Sequence, residues 1–324
     1  MGNVTHASFY MFDFHVHSPA SYDVRTTKYN QLSEDEKKYL KNIQPSTAKN
    51  LTKYEDEVLT KFKIEDYYNL LVDHKNNVSR RENLDNGKDW AVIAITDHNI
   101  CTYATRLSEY AFNKDKLKKN RLIILPGIEL DVRFKFEDSL NNEDWVMVHV
   151  LLIFKPNTKD RDIFSSIKKY SQDNEWDFGK ELNVNNLGEF IKNIRNDDKN
   201  PCISIAAHIS SSKGIQREAT NFFRQKINEQ SDDLEKVAVS LDMEYIEKWK
   251  YEALNFLGEC GFDGLQITGK KDGQYYTAIN RYKENQGRAV GVISSDAHRI
   301  SDIFNCKNMY DKEKCEHGVP FIKL

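Results

Sequence analysis

Cysteine and proline are scarce in this chain of 324 residues, with five of the former and six of the latter. The cysteines, Cys101, Cys202, Cys260, Cys306 and Cys315, are odd in number and scattered, and no two have the Cys-x-x-Cys spacing. That excludes a zinc ribbon or a dithiol redox motif and leaves reduced, partly buried thiols as the expectation. No Pro/Gly-rich linker, internal repeat or low-complexity tract divides the chain, so one compact domain over 1–324 is expected. No apolar run is long enough to cross a bilayer. The N-terminus also lacks the basic-then-apolar layout of a secretory signal, so the expected compartment is the cytoplasm, with no membrane partner. Neither a Gly-x-Ser-x-Gly elbow nor a P-loop is present. A net charge of −3 gives no global pull toward nucleic acid. Lys114, Lys116, Lys118, Lys119 and Arg121 form a local basic patch that reads equally well as a solvated helix end.

What is there is enough apolar material for a core (39%) in short runs that read as strands between helices. Residues 9–16 read as the first strand. A charged segment, 24–88, follows as a mostly helical insertion, with Leu59, Phe62, Tyr67, Leu70 and Leu71 at roughly helical spacing and His74 on its polar, surface side. Further strands are expected at 90–95, 121–125, 146–154, 202–207, 264–267 and 289–293. Helices are expected at 102–119, around 160–170 and 185–195, and at 272–285; 211–258 is ambiguous. Strands alternating with helices indicate an α/β fold.

The strands stop repeatedly at side chains that bind metals. His15 and His17 are two apart at the end of the first strand, where a period of two points both to one face. Asp23 follows a Ser-Pro turn signal. His98, Glu129, His149, His208, Asp296 and His298 stand at or inside later strands, and only His6, His74 and His317 of the nine histidines do not. Imidazole nitrogen with carboxylate oxygen suits divalent transition metals. If the strands share a barrel, their C-terminal ends meet at one mouth.

At this point the chain resembles the polymerase-and-histidinol-phosphatase (PHP) family of metal-dependent phosphoesterases. The motifs are His15-Val16-His17, Thr96-Asp97-His98-Asn99, Gly127-Ile128-Glu129, His149 in its strand, Ala207-His208 and Ser295-Asp296-Ala297-His298. The resemblance implies a distorted (βα)7 TIM-like barrel with two or three divalent ions, manganese, zinc or iron. It implies His15, His17, Glu129 and Asp296 around one ion, Glu129 bridging to a second held by His149 and His208, and Asp23, His98 and His298 around a third. Asp97, His98 and Glu129 are the implied catalytic residues, with Asp97 orienting an imidazole rather than binding metal. Metal-bound hydroxide attacking phosphorus is the chemistry this implies. Arg25, Lys213, Lys270 and Arg299, just past strand ends, are candidate contacts for substrate phosphate.

The first expectation for substrate is a nucleic-acid phosphodiester, DNA or RNA, or a nucleotide. A small phosphomonoester such as histidinol phosphate, or a non-catalytic metal-bound interaction domain, are the alternatives. His17 to Asp23 and Gly318 to Leu324 are also similar to PHP domains fused ahead of a large ATPase, so an ATPase partner, or an ATPase in a longer chain of which this is a piece, is a further expectation.

Overall fold

A computed structural model describes residues 9–21, 63–81, 90–114, 119–136, 145–230, 256–267, 290–292, 294–304 and 321–323. Among these residues nine strands form one sheet: β1 (Phe9–Val16), β2 (Trp90–Ile95), β3 (Leu122–Lys135), β4 (Trp145–Phe154), β5 (Leu182–Asn183), β6 (Cys202–Ala206), β7 (Gly264–Gln266), β8 (Val290–Val292) and β9 (Phe321–Lys323). Their order is β8-β7-β6-β4-β3-β2-β1-β9, with β5 beside β3. The helices are α1 (Ile64–Arg81), α2 (Thr102–Lys114), α3 (Asp160–Ser171), α4 (Leu187–Arg195) and α5 (Ile215–Gln230). Most of the expected 24–88 insertion and the expected helix at 272–285 lie outside the described residues; within the insertion, α1 covers 64–81.

The sheet is mixed. β1, β2 and β3 run parallel, as do β6, β7 and β8, but β4 is antiparallel to both β3 and β6. The chain between β3 and β4 spans only 136–144, which permits a hairpin but not a helical crossover. The sheet curls until the segment after β8 returns to β1. There His17 N–H donates to Ala297 O (3.0 Å), Ala297 N–H to His15 O (3.1 Å) and Phe14 N–H to the Ser294 hydroxyl (3.1 Å). The architecture is α/β and barrel-like.

Three clusters of buried side chains follow from the curl. Phe12, Phe14, Ala94, Leu125, Leu151, Ile153, Ile205 and Ala207 pack on the concave side. Behind β1–β3, α1 and α2 bury Tyr67, Tyr68, Leu71, Tyr103 and Leu107. Behind β3, β4 and β6, α3 and α4 bury Ile163, Ile167, Phe190, Ile191 and Ile194. In α4 the residues Leu187, Phe190, Ile191 and Ile194 are spaced for one helical face, and the Asn186 side chain caps the helix by accepting from Glu189 N–H (2.9 Å). Cys101 and Cys260 are buried and form no disulfide among the described residues, and burial pushes the half-buried Cys202 thiol up to about 12.

β3 runs on to Lys135, past the strand end expected at Leu125. Proline has no N–H to give a ladder. Pro126, however, stands where one ladder hands over to another: pairing with β2 ends at Ile95↔Pro126 and pairing with β4 begins at Gly127↔Ile153. Gly127 permits that handover, since a Cβ there would lie 2.8 Å from Thr96 Cγ2 and 2.9 Å from Leu152 O. His74 is half-buried rather than on the surface. Its Nε2 donates to Ile303 O (3.0 Å) and its ring stacks on Phe304, because α1 packs against the turn at 300–304.

Candidate metal centre

β1 carries one residue more than β2 between Asp13↔Ile93 and Val16↔Ile95. Such a bulge re-aims the following side chain. Phe12 and Phe14 face the concave side, Met11 and Val16 the opposite core, and after the bulge His15 and His17 both turn inward with ring centroids 5.0 Å apart. β2 delivers His98, β3 Glu129, β4 His149, β6 His208, and the segment after β8 Asp296 and His298.

Glu129 is the centre of the cluster. Its carboxylate is buried and lies 3.0 Å from His15 Nε2, 3.4 Å from His17 Nε2, 3.2 Å from His98 Nδ1, 2.7 Å from His149 Nδ1 and 3.6 Å from His208 Nε2. Asp296 Oδ1 lies 3.5 Å from His15 Nε2 and 3.3 Å from His17 Nε2. The His298 ring stacks 4.5 Å from that of His17. Three sets of ligand atoms lie within 4.8 Å of one another: His15, His17 and Asp296; His17, His98 and His298; and His98, Glu129 and His149. The structure therefore brings together eight of the nine expected ligands; Asp23, with Arg25 and Lys270, lies outside the described residues.

Burial disfavours a charged carboxyl at Glu129, yet the His15 and His98 imidazoles hold it well below its ordinary value. Burial would likewise depress His15, but Glu129 and Asp296 push it up to about 10; Asp131 and Glu129 push His149 up to about 9. His17, where burial prevails, falls to about 4. Two buried atoms of the cluster, His17 Nε2 and Glu129 Oε1, have no aligned hydrogen bond despite such close neighbours. Lone pairs converging on one space, with nitrogen and oxygen donors, fit a divalent ion. This buried His/Glu/Asp cluster could hold a metal ion.

The residues that aim the ligands were only partly expected. Asp97 grips the loop after β1 through Ser18 N–H (2.6 Å) and the Ser18 hydroxyl (2.5 Å). Asp13 accepts from Ser295 N–H and hydroxyl and from Phe304 N–H (3.0 Å), which fastens the Asp296 segment to β1. Gln266, at the end of β7, is fully buried; its Oε1 accepts from His208 N–H (3.0 Å) and lies 2.9 Å from His15 Nδ1. An oxygen facing a backbone N–H requires the His15 proton on Nδ1, leaving Nε2 for the cluster. Asp131, two residues beyond Glu129 on β3, accepts from Asn99 Nδ2 (2.9 Å) and Lys213 Nζ (2.9 Å) and lies 2.7 Å from His149 Nε2.

Asp131 carried a signal in its spacing from Glu129, legible once β3 is known to continue; Gln266 carried only its polarity in an apolar strand. Lys213 stands at the mouth, while Arg299 is exposed at the start of a short 3-10 turn. The backbone at His208 (φ 23°), Lys213 (φ 60°) and Asp296 (φ 50°) is left-handed, a strained state that gathers where function dictates geometry. Known family models and curated proteins both fail to match this chain. No helix among the described residues is long and apolar enough to cross a membrane.

Proposed function

We propose that this chain is a metal-dependent phosphoesterase whose substrate is a nucleic-acid phosphodiester or a nucleotide, on a fold similar to the (βα)7 barrel of the PHP family. One observation carries the reading: six imidazoles and two carboxylates, drawn from both ends and the middle of the chain, converge around Glu129 with buried ligand atoms left unsatisfied. A structural domain gains nothing from stacking that many imidazoles in its interior, where each uncompensated polar atom is costly.

His15, His17 and Asp296 would hold one divalent ion, with Glu129, His98 and His149 beside a second; His208 and His298 complete the wall. Ions so held acidify water and offset the charge that builds on phosphoryl oxygens. The protein's own residues do the rest. Gln266 keeps the His15 proton on Nδ1, so that Nε2 presents a lone pair. Asp131 and Glu129 hold the His149 ring between them. Lys213, half-exposed beside Asp131, offers an ammonium to a phosphate entering the mouth.

The test combines metal analysis of protein purified without chelator with manganese-supplemented assays on a phosphodiester, a phosphomonoester and labelled single-stranded DNA. Diesterase activity lost in His15→Ala and Asp296→Ala, with the fold retained, supports the reading. Metal-free protein that turns over at the wild-type rate sinks it. Activity on the monoester alone reassigns the enzyme to small phosphate esters.

A further inference from the structure

β3 and β4 pair without a break from Gly127↔Ile153 to Lys135↔Trp145. With no bulge in that ladder, side chains two apart stay on one face throughout. The even-numbered residues, Ile128, Leu130, Val132 and Phe134 with Val148 and Val150, enter the core behind the sheet. The odd-numbered ones form the opposite face: Glu129, Asp131, Arg133 and Lys135 on β3, and His149, Met147 and Trp145 opposite the last three. This face begins inside the candidate metal centre, where His149 touches both Glu129 and Asp131. It becomes steadily more exposed outward and ends at Trp145, an exposed tryptophan with 38% of its surface open. Lys135 Nζ lies 5.0 Å and the Arg133 guanidinium 5.6 Å from the centre of the Trp145 ring. Lys213 adds a further cation at the inner end through its contact with Asp131.

We propose that the outer half of this face binds single-stranded nucleic acid, with a base stacked on Trp145 and phosphates on Arg133 and Lys135, and leads the strand toward Glu129. An aromatic surface flanked by cations is the arrangement that holds single strands, because every base has a π-face and every nucleotide a phosphate. Lys135 stands about 20 Å along β3 from Glu129 at roughly 3.3 Å per residue, room for several nucleotides. A small phosphomonoester could reach the inner cluster but could not span that distance. Glu181 opposes the assignment locally: it lies 3.4 Å from Arg133 and must be displaced or tolerated by a phosphate. This inference deepens the proposed function and depends on it only for what happens at the inner end.

The experiment measures binding of a short labelled single strand, as DNA and as RNA, to the full chain by fluorescence anisotropy, as purified and again with chelator to prevent hydrolysis. Trp145→Ala should weaken binding roughly 5- to 150-fold, and Trp145→Phe should restore most of it. Arg133→Ala with Lys135→Ala should lower the slope of log affinity against log salt by about 1.4. Glu181→Gln should tighten binding by freeing Arg133. Thermal midpoints of all variants should match the wild type, since the substituted side chains are exposed or half-exposed. Wild-type protein that fails to bind the strand at low salt, or a Trp145→Ala variant that binds as tightly as the wild type, overturns the proposal. A chain that takes up no manganese yet binds single strands through Trp145 would refute the metal centre and leave this surface standing.

Discussion

The parallel half of the sheet, β1 to β3, and the antiparallel half, β3 to β6, aim side chains at one pocket by different means. In the parallel half, His17 and His98 stand past the ends of β1 and β2, each held by a single bridge: His17 N–H donates to Ala297 O (3.0 Å), and His98 pairs with Glu129. Side-chain clamps fasten the segments around them, Asp97 on Ser18 and Asp13 on Ser295 and Phe304. In the antiparallel half, Glu129 and His149 stand within the longest ladder among the described residues, and backbone hydrogen bonds on both sides hold them. A loop-borne ligand is lost by deleting a polar side chain, whereas a ladder-borne ligand answers to its backbone surroundings.

The largest effect should come where the halves meet. Glu129→Gln removes the one anion shared by five imidazoles, and manganese affinity should fall more than about 100-fold, read by titration calorimetry. An unchanged affinity would mean that the two halves do not share a centre. Next, Asp97→Ala strands the buried Ser18 N–H and hydroxyl and should cost about 3–5 kcal/mol in denaturant unfolding. A loss below about 1 kcal/mol would show that the loop after β1 needs no clamp.

The antiparallel half should respond to Gly214→Ala. A Cβ there would sit 2.4 Å from His208 O and 2.5 Å from Ile209 O, so the loop carrying His208 and Lys213 must move. We expect a loss of about 1–3 kcal/mol together with weakened metal binding. Gln266→Leu is milder: it should lower metal affinity about 10- to 100-fold by freeing the His15 ring. Titration calorimetry with manganese reads the loss, and an unchanged affinity would mean that Gln266 does not hold the His15 ring.

A further effect is a pH dependence of the metal-free chain. His15 and His149 are raised in the fold to about 10 and about 9, so their contribution is complete below about pH 6.5 and is lost as pH rises through those values. His17 is lowered to about 4, and its contribution, present above pH 6.5, is lost as pH falls toward that value. Metal-free stability should therefore peak near pH 6.5 and decline toward pH 10. Added manganese should remove the alkaline decline, because ion and proton compete for the same lone pairs. An alkaline decline that persists unchanged with manganese would separate the raised histidines from the metal centre.

Much of the fold could be read locally. A short apolar run flanked by polar residues sufficed for β1, β2, β4 and β6, and the spacing of Leu187, Phe190, Ile191 and Ile194 for α4. β3 was cut short at Pro126 because a proline reads as a stop, and only the partner strands reveal that no N–H is needed there. The antiparallel β4 was equally hidden, since an apolar run carries no direction. His74 read as surface because the turn that covers it comes from residues more than two hundred positions away.

The sequence by itself determined which residues are chemically able to bind a cation and that they stand at strand ends, since residue type and a period of two are local properties. Tertiary structure alone decided that Glu129 lies at the centre of five imidazoles, that Gln266 and Asp131 aim them, and that a bulge turns His15 inward. Those outcomes depend on how strands distant in the chain register against one another, and registry is set by the packing of the whole sheet.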